Sequence, residues 1–275
     1  MDICFVIVVY NRVYSETESF LSFLSLYKRF NDIRFHIIIY DNSPESQEGF
    51  LSDEYQLIYY HDVRNLGVIP AYQYGINYCK DNSIAWMLRL DQDSSFDYNL
   101  IDSFMTLVNE NKDQDVAVVI PKILCNNILE SPTYVVYAGL YKPVEDNAKG
   151  VLQKRITFIN SMSFININND IIINAINNCS FYLDLSDHDV AYNLKPENVY
   201  VMDVFVTHSL SISEEGYVSN DRYISILNAE NIFAKKYYGI IEFFVFKCRL
   251  VARSLKHLLQ GRKEIALLTI KKLFE

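Results

Sequence analysis

With 275 residues, half of them hydrophobic and 21% charged, the chain is long enough for one large α/β domain, alone or with a small appendage, and too apolar to be disordered. A net charge of -9 excludes a nucleic-acid-binding surface spread over the whole molecule. The charge is uneven, because residues 235–275 hold 10 of the 25 Lys and Arg but only 3 of the 34 Asp and Glu.

Residues 3–9 are a continuous apolar, β-branched run, the pattern of a buried parallel strand, and Tyr10-Asn11-Arg12 ends it. Phe20, Leu24, Tyr27 and Phe30 then predict a helix within 16–30. A second strand over 35–40 closes at the turn Asp41-Asn42-Ser43-Pro44, and a short third strand covers 57–60. The turn Asn65-Leu66-Gly67 leads into a helix over 70–79 that takes Pro70 in its first turn. A fourth strand over 85–90 runs straight into Asp91-Gln92-Asp93-Ser94-Ser95, followed by a helix over 98–110 and a strand over 116–120. Residues 126–158 read as loop and short strands, 163–174 as a hairpin or part of an acceptor wall, 199–206 as a strand ending near His208, and 222–238 as a helix.

Strand and helix alternate through the first 120 residues, which predicts a mostly parallel sheet covered by helices on both faces. Ligands of such sheets sit beyond the carboxyl ends of the strands. Asn11, Asp41, Asn65, Asp91 and Asp93 all follow a strand or precede a helix, so one rim can gather them.

Asp91 and Asp93 stand at i and i+2 in a tight turn. Such a pair can meet one hard cation, Mg2+ or Mn2+, which neutralises a departing diphosphate; a solvated acidic loop is the plainer reading. Asp184, Asp187 and Asp189 form a second acidic cluster, fit for a general base or for a helix N-terminus capped by Asp184 or Asp187. His208 is either an imidazole ligand or an ordinary histidine at a strand end.

The ordered set of motifs resembles glycosyltransferase family 2, with its GT-A fold, and in particular a rhamnosyltransferase-like branch. Val8-Val9-Tyr10-Asn11-Arg12 is similar to the opening strand of that family, and Tyr40-Asp41-Asn42-Ser43-Pro44 to its second. Asn65-Leu66-Gly67 with Ala71 and Gly75 resembles its helix start, and Leu90-Asp91-Gln92-Asp93-Ser94 its metal motif. Asn160-Ser161-Met162-Ser163, Asp184 to Asp189, His208, and Arg222 with Asn231 complete the series over residues 3–238. The resemblance implies that Val9, Asn11, Asp41, Asn65 and Gly67 border the nucleotide and that Asp91 meets its ribose or phosphates. It also implies that Asp93 and His208, with Asp91, bind the metal. Asp187 is the implied base, with Asp189 as second choice. Three departures stand out: Gln73 for an asparagine, Met162 for a small glycine, and Glu230 for the arginine before Asn231.

The expectation is therefore a GT-A domain over 1–238 and an amphipathic, basic helical tail over 239–275. The implied enzyme is inverting and metal-dependent. It moves a sugar from a nucleotide sugar, dTDP-rhamnose or a UDP-sugar, to a saccharide or lipid-linked acceptor in bacterial surface polysaccharide synthesis. A nucleotidyltransferase and a non-catalytic carbohydrate-binding scaffold are the alternatives; the former usually carries a Gly-rich basic loop, and residues 10–16 have no glycine. Five cysteines, Cys4, Cys79, Cys125, Cys179 and Cys248, show no short chelating spacing and fit a reducing compartment. The N-terminus lacks the basic start of a signal peptide, and no apolar run reaches the length of a membrane span, so a cytoplasmic setting is expected. In the tail, Ile241, Phe244, Cys248, Val251, Leu255 and Leu258 fall on one side of a helix. Peripheral docking on an anionic membrane, packing within the chain and an oligomer contact all suit that stripe.

Overall fold

Strand β1 spans Asp2–Val9, and its apolar run is continuous because both faces of the sheet are covered. Cys4, Val6 and Val8 point into one hydrophobic cluster, and Ile3, Phe5, Ile7 and Val9 into the other. The computed structural model describes residues 1–47, 55–110, 116–208 and 219–274.

Helix α1, Glu18–Leu26, starts where the Thr17 hydroxyl caps the Phe20 amide. It ends earlier than the spacing predicts, passing through one 3-10 turn at Tyr27–Arg29 before Phe30 leaves the helix and stacks on Tyr98. Strands β2 (Arg34–Asp41) and β3 (Gln56–His61), helix α2 (Ile69–Asp81) and strand β4 (Trp86–Asp91) follow in the predicted order. Gly75 of α2 lets the helix close on the sheet, since a Cβ there would stand 2.5 Å from Val6 and 2.6 Å from Met87.

Next come β5 (Ser94–Ser95), α3 (Tyr98–Glu110) and β6 (Val118–Cys125), then five short strands: β7 (Ile128–Ser131), β8 (Thr133–Tyr137), β9 (Leu140–Pro143), β10 (Gly150–Val151) and β11 (Ile156–Thr157). Residues 163–174 are not a hairpin but strand β12 (Ser163–Asn166) and the start of helix α4 (Asp170–Asn177). Asn169 accounts for the break, because its side chain caps the Ile171 amide. Helix α5 (Ser186–Tyr192) and strand β13 (Val199–His208) follow. Helices α6 (Asn220–Tyr237), α7 (Ile240–Leu259) and α8 (Lys263–Lys271) end the chain.

The main sheet has the order β10-β13-β6-β12-β4-β1-β2-β3, with β5 pairing β13 and β7 pairing β6. Strands β3, β2, β1 and β4 are mutually parallel, as are β6 and β13, while β12 runs antiparallel between β4 and β6. Helices α1 and α3 cover one face and α2, α4 and α5 the other. This is the expected α/β architecture.

The chain forms two compact units, 1–134 with 143–209, and 135–142 with 210–275. The first holds the main sheet. The second holds α6, α7 and α8, with Leu227, Ala234, Phe246 and Leu250 at its core. Helix α6, which the sequence reading assigns to 1–238, thus groups with the tail. A bidentate pair from Arg253 to Glu230, at 2.7 and 3.0 Å, ties α7 to α6.

Candidate active site

Parallel register brings the strand ends level. Val9 lies opposite Asp41, and Val8 opposite Asp91, so the loops after β1, β2 and β4 meet on one rim. Two hydrogen bonds tie them together: the Asn11 amide donates to Ser43 Oγ and the Tyr10 amide to Gln92 Oε1, each at 2.9 Å. Asn11 adopts a left-handed φ of 52°, a conformation asparagine tolerates better than most residues. A cleft of about 390 Å3 opens between these loops, lined by Asn11, Arg12, Val13, Ser43, Pro44, Glu45 and Gln47.

Val9 and Asp41 are not among the residues that line this cleft; both are fully buried. The Asp41 carboxylate accepts from the Ser43 amide at 2.9 Å, the Tyr59 hydroxyl at 2.7 Å and Gln47 Nε2 at 2.8 Å. It therefore shapes the cleft by holding Gln47 and Tyr59. Burial, together with Asp41, pushes the Tyr59 hydroxyl up to about 12, which keeps it a donor. Asn65, left-handed at φ 45°, turns the chain toward Gly67. Only glycine fits that place: φ is +86°, and a Cβ would sit 2.0 Å from the Tyr182 carbonyl oxygen. Gly67 thus seats the loop before α2 against the loop before α5.

Strand β13 carries His208 to the acidic turn, since Thr207 pairs with Ser95 and His208 with Ser94. Ligand atoms of Asp91, Asp93 and His208 all lie within 4.8 Å of one another. His208 Nε2 is 3.8 Å from Asp91 and Nδ1 is 3.9 Å from Asp93. Burial raises the Asp93 carboxyl above its ordinary range. Burial alone would lower the His208 imidazole, but the hydrogen bond and charge of Asp91 and the charge of Asp93 outweigh it and raise it. Two carboxylates and an imidazole suit a divalent cation of the magnesium or manganese type, whose charge would relieve this crowding.

Asp187 and Asp189 lie in the first turn of α5, whose N-cap is Leu185 at φ 61° with no side-chain cap. Neither Asp184 nor Asp187 occupies the capping position. Burial first, then the negative charge of Asp91, pushes the Asp187 carboxyl up to about 7; Arg89, the Asn160 amide and His208 pull the other way. A carboxylate poised there can take a proton near neutral pH. Asp189 is fully buried in the same turn.

Sequence reading passed over Arg89, although a charge two residues before Asp91 in an apolar strand was visible. Its guanidinium is completely buried. It donates to Asn160 Oδ1 at 2.7 Å and twice to Ser163 Oγ, at 2.9 and 2.6 Å, and lies 5.2 Å from the Tyr72 ring centre. This fixes the turn 160–163. From that turn the Ser161 hydroxyl accepts the Asp91 amide at 3.0 Å and meets Ser94 Oγ. Ser19 adds a bond to the Asp91 carbonyl. Met162, in the family's glycine place, is buried at φ 61°, and its amide reaches the Arg89 carbonyl at 2.7 Å. The backbone keeps the left-handed shape that glycine adopts freely and methionine only under strain.

No curated protein matches the sequence. The crystal structure of S. aureus TarS 1-349 in complex with UDP-GlcNAc is 12% identical, with 99% of this chain and 79% of that chain covered and a TM-score of 0.59, a likeness of fold. A longer S. aureus TarS crystal structure is 11% identical at TM-score 0.48, with 94% of this chain covered but only 43% of that one, so this chain spans less than half of its length. The model for "Glycosyl transferase family 2" matches residues 4–175, which include most of β1 and all of β2, the acidic turn and the 160–163 turn. The chain belongs to glycosyl transferase family 2.

Proposed function

We propose that the protein transfers a sugar from a nucleotide sugar to a hydroxyl group, with inversion at the anomeric carbon. The observation that carries this is the meeting of Asp91, Asp93 and His208 at one rim, with His208 Nε2 3.8 Å from Asp91 and Nδ1 3.9 Å from Asp93. The nucleoside occupies the cleft between Asn11 and Gln47, whose lining residues Ser43 and Gln47 are held by the Asp41 carboxylate. Asp91, Asp93 and His208 would hold Mg2+ or Mn2+, which supplies positive charge to the diphosphate. Asp187 accepts the proton of the acceptor hydroxyl as that oxygen bonds to the anomeric carbon. The bond from that carbon to phosphate breaks, and the nucleoside diphosphate leaves with the electron pair. Asp189 supports the turn that aims Asp187.

The family motifs favour dTDP-rhamnose or a UDP-sugar as donor, and UDP-GlcNAc, held by the TarS neighbour, belongs among the first to test. The acceptor is a saccharide or lipid-linked saccharide of a bacterial surface polysaccharide, and the reaction takes place in the cytoplasm. Thermal shift with a panel of nucleotide sugars, with and without Mn2+, tests the reading, because a ligand that binds the native state raises its apparent stability. A shift for one nucleotide that requires Mn2+ supports it. No shift with any nucleotide contradicts it.

A further inference from the structure

Helix α7 is apolar on two sides, and the second unit uses one. Phe246, Leu250 and Ser254 are buried toward α6 and α8, and Ser254 Oγ donates to the Ala266 carbonyl at 2.8 Å. On the other side Ile241, Phe244, Val251, Leu255 and Leu258 are 72%, 68%, 41%, 54% and 43% exposed, with Cys248 exposed among them. Steps of three and four residues keep them on one line along a helix of 20 residues, about 30 Å long. Ile240 and Leu259 extend the line at its two ends, 92% and 90% exposed. Single exposed apolar side chains are ordinary, whereas a continuous line of them marks a contact surface.

The charges around the line have one sign. Between Glu242 and Glu264 the chain carries Lys247, Arg249, Arg253, Lys256, Arg262 and Lys263 and no acid. Arg253 is paired with Glu230. Lys247 and Arg249 donate to the carbonyls of Lys272 and Ala138, not to a carboxylate. Lys256, Arg262 and Lys263 are exposed.

We propose that this side of α7 lies on an anionic lipid surface. The apolar line enters the boundary between headgroups and acyl chains, while Lys256, Arg262 and Lys263 stay at the level of the phosphates. A second copy of the chain is the poorer match. Paired helices draw partner choice from complementary charges beside the seam, and α7 would set one cationic helix against another. No described helix is long and apolar enough to cross a membrane, and the contact proposed runs along the surface.

Flotation of the full chain with vesicles tests this, using phosphatidylcholine alone or mixed with phosphatidylglycerol. The chain floats with the mixed vesicles, roughly tenfold less with the neutral ones, and less as salt is added. The double variant Ile241→Ser, Phe244→Ser loses roughly tenfold in binding. Lys256→Glu with Lys263→Glu loses a similar factor on the mixed vesicles only. Both variants keep the wild-type unfolding midpoint, since the altered side chains are exposed. Wild-type protein that never floats overturns the proposal, as does undiminished flotation of both variants. A lipid-free dimer in sedimentation that Phe244→Ser abolishes also overturns it, in favour of a second copy.

Discussion

In the first unit, Arg89, Asp93 and Asp187 hold ionisable groups where water reaches poorly, whereas in the second, Ile241, Phe244 and Leu255 hold hydrocarbon in water. Each arrangement opposes folding. Buried charge loses hydration, and exposed apolar surface forgoes the gain of roughly 25 cal/mol per Å2 that burial brings. The two sites differ in how much of their setting is complete. Arg89 is held by Asn160 and Ser163, so its buried guanidinium is closed over by the chain's own partners beneath the crowded carboxylates. The line on α7 has no such closure. Incomplete burial points to a partner, and crowded charge points to a bound ion and to chemistry.

The sharpest way to break the comparison is Asp93→Ala. Turnover should fall by about a thousandfold or more, with the fold intact and the unfolding midpoint unchanged or raised, because a crowded carboxyl is removed. Unaltered turnover of this variant in chelator would sink the metal reading. Asp187→Asn comes next: donor binding by calorimetry persists, while transfer drops by about 10²- to 10⁴-fold. Asp189→Asn should do less harm, and the reverse order of effects would move the base by two residues.

Asp187 also fixes the pH response. It works as a base only when ionised, so kcat/KM should rise with pH through about 7 and be lost below it. For stability the sign is opposite. The folded state holds this proton more tightly than the unfolded one, so the contribution of Asp187 to stability declines as pH rises from the ordinary carboxylate range to about 7. Arg89→Met removes a nearby positive charge. It should move the acid limb of the rate profile upward and lower kcat by about tenfold, a readout that a purely packing role would leave in place. Arg89→Lys should keep the limb near its wild-type position.

The smallest effects separate the two sides of α7. Leu250→Ala should cost about 2–5 kcal/mol in urea unfolding, since it opens a cavity in the core of the second unit. Val251→Ser, one residue on, should stay within about 0.5 kcal/mol. Equal losses would mean that the exposed line is covered within the chain after all.

Much of this could be read before any coordinates. The β1, β2 and β4 runs were legible because strands buried on both faces are continuously apolar, and the level of their ends follows from parallel register. The pairing of His208 with the acidic turn was available only through family resemblance, since 115 residues separate His208 from Asp93 and no local signal links them. The α4 start hid in an Ile- and Asn-rich stretch whose cap, Asn169, looks like any other asparagine there. Arg89 was visible but unread, because its partners lie more than 70 residues away. The stripe on α7 was clear from spacing. Which of the two apolar sides faces water was not, because both have helical periodicity.

The central claim is that Asp91, Asp93 and His208 form a divalent-metal site that serves a nucleotide diphosphate. Calorimetric titration of Mn2+ into the full chain, with UDP or dTDP present, tests it most directly. One ion should bind per chain, more tightly with nucleotide than without, and Asp93→Ala should abolish that binding. Absence of binding with either nucleotide, or undiminished binding by Asp93→Ala, would contradict the account.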